Sequence, residues 1–174
     1  TTENGLSDAC KPVTFIFARG TNEDGNVGRI AGPPLFSELR STLTTANIAV
    51  QGVTYSATIA GYLSGGDAAG STEMARLINL ASTKCPSTEI VIGGYSQGAQ
   101  LVHNSAKKLT AAVTAKIVAV VVFGDPYRGQ AVGTVPTAKV LSICHDQDII
   151  CTGSGGFLTH LTYGIDAVTA ATFI

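Results

Sequence analysis

The stretch Thr88–Gln100, TEIVIGGYSQGAQ, constrains this chain more than any other. An apolar run (Ile90, Val91, Ile92) ends in paired glycines, turns at Gly94-Tyr95-Ser96-Gln97-Gly98, and passes into a helical pattern. This is the G-x-S-x-G nucleophile elbow. Small residues on both sides of the serine let a strand fold directly into a helix, and the turn holds the serine hydroxyl in a strained, exposed pose above the sheet edge. In a chain with 20 glycines the five-residue pattern alone is weak, so the flanking strand and helix carry the reading. Ser96 is the candidate nucleophile.

The rest of the chain repeats that alternation. Val13–Ala18 (VTFIFA) is apolar on both faces, as is Lys116–Phe123 (KIVAVVVF), while Ile48–Thr54 and Lys139–Cys144 read as shorter strands. Pro33 and Pro34 suit the first turn of a helix to about Thr45 that buries Leu35, Leu39 and Leu43. Ser71 is a plausible N-cap for a helix to Cys85, with Met74, Leu77, Ile78 and Ala81 on one face. After the elbow, Ala99, Val102, Ala106, Leu109 and Val113 continue a helical face. A last helix runs from His160 through Leu161, Ile165, Val168 and Ala171. Residues 55–70 read as a loop, and residues 1–11 as loose until Cys10 anchors them. Strands apolar on both faces and alternating with helices predict an α/β fold: a three-layer α/β/α sandwich on a mainly parallel, about five-stranded sheet, in one domain over residues 1–174.

Charged residues are only 13% of the chain and the formal net charge is -1, which excludes the basic patch that nucleic acid requires. No apolar stretch is long enough for a membrane span. No leader peptide heads the sequence, as expected of a mature form. Among the four cysteines, Cys144 and Cys151 bracket a short span, and Cys10 and Cys85 each flank a strand. Bridges Cys10–Cys85 and Cys144–Cys151 are expected, and with them an oxidising, extracellular setting. No C-x-x-C spacing occurs and the three histidines are scattered, so no metal site is expected.

A serine hydroxyl attacks only when an imidazole takes its proton, and that imidazole needs a carboxylate to hold its tautomer. With this elbow the order along the chain is serine, acid, histidine. The acids after Ser96 are Asp125, Asp146, Asp148 and Asp166; the histidines are His103, His145 and His160. Asp148 lies inside the short cysteine loop just past a strand, and His160 twelve residues on can cross the site. Asp125 also follows a strand and competes for the role, although its place before Pro126 fits a structural turn. His103 reads as a partly exposed structural histidine and His145 as an exposed loop histidine.

At these residues the sequence resembles the cutinase family. The resemblance runs through Ala18-Arg19-Gly20-Thr21 with Glu23, Gly25-Asn26-Val27-Gly28, Lys84-Cys85-Pro86, Gly93–Ala99, Phe123-Gly124, Cys144–Gly153 and His160-Leu161-Thr162-Tyr163-Gly164, in order along nearly the whole chain. It implies a lidless α/β-hydrolase with Ser96 as nucleophile, Asp148 as acid and His160 as base. The oxyanion hole would be the N–H groups of Thr21 and Gln97, helped by the Thr21 hydroxyl, and no cofactor is implied. Many plant-pathogen members hold that hydroxyl with a loop asparagine. The matching loop here, Ala60-Gly61-Tyr62-Leu63-Ser64, has none, so what positions Thr21 stays open.

The implied activity is that of a secreted, monomeric serine esterase acting on cutin, aliphatic polyesters or other lipid-like esters. Tyr62, Leu63, Ile149, Ile150, Phe157 and Leu158 are expected to form an apolar substrate groove. An acetylxylan esterase is the alternative. A silent wall-binding or elicitor protein is a remote one.

Overall fold

The computed structural model describes residues 1–174. Five strands, β1 Val13–Ala18, β2 Ile48–Gly52, β3 Glu89–Tyr95, β4 Ile117–Phe123 and β5 Val140–Ile143, form one sheet in the order β2-β1-β3-β4-β5. Every neighbouring pair is parallel. The helices are α1 Gly32–Leu43, α2 Ile59–Leu63, α3 Ala68–Lys84, α4 Gln97–Ala106, α5 Ala111–Thr114, α6 Ile149–Thr152 and α7 Ala167–Phe173.

Alternation along each strand divides the core in two. Phe15 and Phe17 of β1 pack with Leu35, Phe36 and Leu39 of α1, Val121 and Phe123 of β4, and Ala170 of α7. Ile16 and Ala18 point the other way, toward Met74, Leu77 and Ile78 of α3 and Leu101 and Val102 of α4. A parallel strand buried on both sides has no polar face, which is why these runs are continuously apolar. Phe15, Phe17 and Phe36 meet edge to face with centroids 5.3–5.8 Å apart, the arrangement the ring quadrupoles favour.

From β1 the chain passes through α1 to β2 on one side, then through α3 to β3 on the other. The carboxyl ends of β1 and β3 therefore flank a switch point, where open parallel sheets leave a crevice for ligands. Thr21 follows one strand and Ser96 the other.

The disulfides Cys10–Cys85 and Cys144–Cys151 are both formed. Several local expectations change. Residues 55–70 hold α2 and the start of α3. The N-cap of α3 is Asp67, whose carboxylate accepts from Gly70 N at 2.6 Å, whereas Ser71 is buried inside the helix. An Asp four positions earlier reaches the free N–H groups first. The helix after the elbow stops at Ala106, and Thr110 caps the separate turn α5.

The segment after His160 differs most. Two 3₁₀ turns, Thr159–Leu161 and Tyr163–Asp166, precede α7. Three residues per turn shift the inward face away from a 3.6-residue pattern. Tyr163, Ala167 and Ala170 are buried instead, while Leu161, Val168 and above all Ile165 (79% exposed) face outward. The N-terminus is also tied down. Arg40 forms a bidentate pair with Glu3 at 2.9 and 2.8 Å, and the Thr1 carbonyl accepts from Asn26 and Val27 N–H.

Candidate active site

Ser96 sits between β3 and α4 with φ 57° and ψ -120°, a conformation that costs a non-glycine residue on the order of 1–3 kcal/mol. Its N–H donates to the Phe123 carbonyl at 2.9 Å, fastening the elbow to β4. A Cβ on Gly94 would lie 2.3 Å from the Gly98 carbonyl oxygen, and one on Gly98 would lie 2.0 Å from that of Ala18. Only glycine at both positions lets α4 begin directly against β1 and β3.

Asp148 is fully buried at the N-cap of α6, inside the loop that Cys144–Cys151 closes. One carboxylate oxygen accepts from Ile150 N–H at 2.9 Å. The other accepts from His160 Nδ1 at 2.7 Å and from the Tyr163 hydroxyl at 2.5 Å. Burial alone would push this carboxyl up, but the hydrogen bonds from Tyr163, His160 and Ile150 outweigh it and hold it below the usual range.

His160 is buried between rings, its centroid 5.0 Å from that of Tyr95 and 5.2 Å from that of Phe157. Burial lowers its pKa below the ordinary imidazole value, against the opposing hydrogen bond and charge of Asp148. The ring is therefore neutral at pH 7. Nδ1 faces a carboxylate and so carries the proton, leaving Nε2 with a free lone pair. That atom is buried and has no protein partner. A neutral imidazole in this tautomer is the form a general base requires.

Thr21 follows β1, and its N–H donates to no protein acceptor. Gln97 is the first residue of α4, so its N–H has no partner within the helix. The Gln97 side chain answers what holds Thr21 in the absence of a loop asparagine. Its Nε2 donates to Thr21 Oγ1 and to the Thr58 carbonyl, each at 2.9 Å, and its Oε1 accepts from Asp67 N–H at 3.3 Å. Glu23 secures the same loop from below, accepting from the N–H groups of Gly20, Arg29 and Ile30 at 2.8–2.9 Å.

Ser96, His160 and Thr21 all line one cavity of about 380 Å³. Of the expected groove residues, Tyr62, Ile150 and Phe157 form its walls. Leu63 and Leu158 do not; they are 76% and 82% exposed, and Ile149 is also exposed outside the wall. Ile30, Ile59, Tyr95 and Leu161 complete the apolar lining without having been anticipated. Ile59 lies in the stretch read as loop, and Leu161 on the face assigned to the core. Tyr95 is the variable residue of the elbow motif itself.

The other histidines and acids are engaged elsewhere. His103 is 1% exposed, not partly exposed, and its Nε2 meets Asp125 Oδ2 at 2.7 Å. Asp125 also accepts from Tyr127 N–H at 2.8 Å, which fits a structural turn. His145 is half-buried rather than exposed and pairs with Asp166 at 2.7 Å.

The cutinase family profile matches residues 9–174. A cutinase of Blumeria hordei is 55% identical over 99% of this chain and 74% of its own length. The solved structure of Trichoderma reesei cutinase with a phosphonate inhibitor superposes with a TM-score of 0.91 at 46% identity, covering 99% of this chain and 78% of that one. The catalytic core of an acetylxylan esterase from Trichoderma reesei shares the fold at a TM-score of 0.73, with 21% identity over 95% of this chain and 98% of that one. With the elbow, the acid loop and the histidine segment in one order and one architecture, the chain belongs to the cutinase family.

Proposed function

We propose that this chain is one catalytic domain, a secreted and monomeric serine esterase that hydrolyses carboxylic ester bonds of cutin or similar aliphatic polyesters and of short-to-medium acyl esters. The observation that carries the reading is that His160, whose Nε2 is buried and has no protein partner, lines the same apolar cavity as the strained Ser96. Two disulfides in a chain of this size fit an extracellular setting.

In the proposed reaction His160 Nε2 takes the Ser96 proton as Oγ attacks the ester carbonyl. Asp148 steadies the imidazolium through Nδ1. The oxyanion of the tetrahedral intermediate meets the N–H groups of Thr21 and Gln97 and the Thr21 hydroxyl. One such donor is worth about 3 kcal/mol in the transition state. His160 then protonates the departing alcohol and activates a water that releases the acid from Ser96.

Ile30, Ile59, Ile150 and Leu161 line the cavity with aliphatic side chains. They favour an aliphatic chain or a polyester surface over a sugar polymer, whose rings call for polar or aromatic contacts. Each CH₂ of a buried acyl chain contributes about 0.8 kcal/mol.

The test is kcat/KM for p-nitrophenyl acetate, butyrate and octanoate beside acetate release from xylan, for the wild type, Ser96→Ala and Ile59→Asp. Ser96→Ala should lose several orders of magnitude on every ester. Ile59→Asp, which places a charge in the cavity wall, should lose progressively more as the acyl chain lengthens. Wild-type activity highest on acetylxylan would transfer the assignment to that esterase. Retention of a tenth of the activity in Ser96→Ala would overturn Ser96 as the nucleophile, and a wild type that an organophosphonate fails to label would transfer the assignment to a silent wall-binding protein.

A further inference from the structure

Tyr163 lies three residues beyond His160 in the chain, yet its hydroxyl reaches Asp148. It donates at 2.5 Å to Oδ2, the oxygen that also accepts from His160 Nδ1 at 2.7 Å. The same hydroxyl accepts from the backbone N–H of His145 at 3.1 Å. The phenol thus joins the segment bearing the base to two points of the loop bearing the acid, His145 and Asp148 itself. Its ring is wholly buried, edge-on to His160 with centroids 5.9 Å apart.

The other face of that ring is covered by a second His–Asp pair. The His145 imidazole stacks on Tyr163 with centroids 4.2 Å apart and planes 19° from parallel. His145 is itself held by Asp166 on Nε2 at 2.7 Å and by the Thr159 carbonyl on Nδ1 at 3.2 Å, with Thr162 Oγ1 3.1 Å from the same nitrogen. A flat ring anchored at both nitrogens leaves Tyr163 no room to swing away from Asp148.

We propose that Tyr163 is a positioning residue for the triad acid, and that the His145–Asp166 pair keeps it in place by stacking on its ring. This rests on the triad reading above. Asp148 Oδ2 divides its lone pairs between two donors, so Tyr163 both orients the carboxylate and limits its pull on the His160 proton. The titratable groups facing Tyr163 are Asp148, His160, His145 and, at 5.9 Å between centroids, Tyr95; Asp166 lies beyond His145.

Removing the hydroxyl frees Oδ2 for His160 alone. Asp148 then stabilises the imidazolium more strongly, while losing the bond that fixes its orientation. In Tyr163→Phe, kcat on p-nitrophenyl butyrate should fall about tenfold at unchanged KM, and the acid limb of kcat/KM should move to higher pH. A side chain that merely fills the core would lower Tm and leave that limb in place. His145→Ala should lose kcat in the same direction, and His145→Phe, which keeps a ring to stack, should recover most of the loss.

Thermal melts on each variant separate misfolding from a misplaced acid. A Tyr163→Phe enzyme with wild-type kcat and an unmoved acid limb overturns the role of Tyr163. Equal losses in His145→Ala and His145→Phe overturn the role of the stack. Organophosphonate labelling of Ser96 in the wild type keeps these outcomes distinct from failure of the triad itself: no label overturns the triad and the positioning role together.

Discussion

The side-chain amide of Gln97 donates to the Thr21 hydroxyl across 2.9 Å, joining the residue after the elbow serine to the loop that follows β1. Gln97 therefore serves the candidate site twice, by its backbone N–H and by its amide. The remaining amide bonds, to Thr58 and Asp67, tie both groups to the start of α2 and α3.

Gln97→Leu keeps the backbone N–H but releases the Thr21 hydroxyl. We expect kcat to fall about 10- to 100-fold at nearly constant KM, because the hydroxyl acts on charge that develops only in the transition state. Thr21→Val should lose a similar amount, and the double variant little more than either, since the two residues act as one unit. Steady-state kinetics on p-nitrophenyl butyrate decide it; additive losses would show that Gln97 and Thr21 act separately.

The Cys144–Cys151 bridge spans 7 positions and Cys10–Cys85 spans 75, so loop closure favours the longer bridge for stability. The shorter one encloses Asp148. Replacing Cys144 and Cys151 with serine should depress kcat more clearly than Tm, and replacing Cys10 and Cys85 the reverse. Paired melts and kinetics check this; a lower Tm with intact kcat in the Cys144/Cys151 variant would contradict it.

Catalysis requires neutral His160, whose pKa burial holds below the usual 6.5. The acid limb of kcat/KM should therefore lie on the low side of 6.5. For stability the sign is the same at both residues, since Asp148 is also held below its ordinary 3.8. Their contributions are present in full above the unfolded values and are lost as pH falls toward the folded ones. Urea midpoints should thus decline from about pH 6.5 downward and again below about pH 4. His160→Gln should flatten the first decline, and an unchanged profile in that variant would remove His160 as its source.

His103 and Asp125 are both about 1% exposed and meet at 2.7 Å. His103→Leu leaves the Asp125 carboxylate buried without its partner, which costs about 3–5 kcal/mol. For a chain of this size Tm should drop by roughly 10 °C, while kcat of the folded enzyme stays near wild type. A melt together with kinetics well below Tm tests both halves. A large loss of kcat there would place the pair in the catalytic apparatus.

Features written in neighbouring residues were open to sequence reading. The apolar runs at 13–18, 90–92 and 117–123 show no alternation, so each strand had to be covered on both faces, and a parallel sheet between helices followed. The two glycines around Tyr95-Ser96-Gln97 announced a strand turning straight into a helix, because no other residue fits against β1 at that turn. Chain order narrowed the acid and base to a few candidates.

Choosing among them took the fold. Asp125, Asp148 and Asp166 each hold a histidine at 2.7 Å, and only the packing shows that Asp148 is the one whose histidine shares a cavity with Ser96. The partner of Thr21 lies 76 positions away, at Gln97, a contact no local pattern encodes. The face of the C-terminal segment departs from its helical periodicity because two 3₁₀ turns reset the phase before α7, exposing Leu161 and Ile165 and burying Tyr163. Local periodicity fixes which residues share a face of one element. Where that face points depends on turns and on contacts made across the whole chain, and these exist only once the chain has folded.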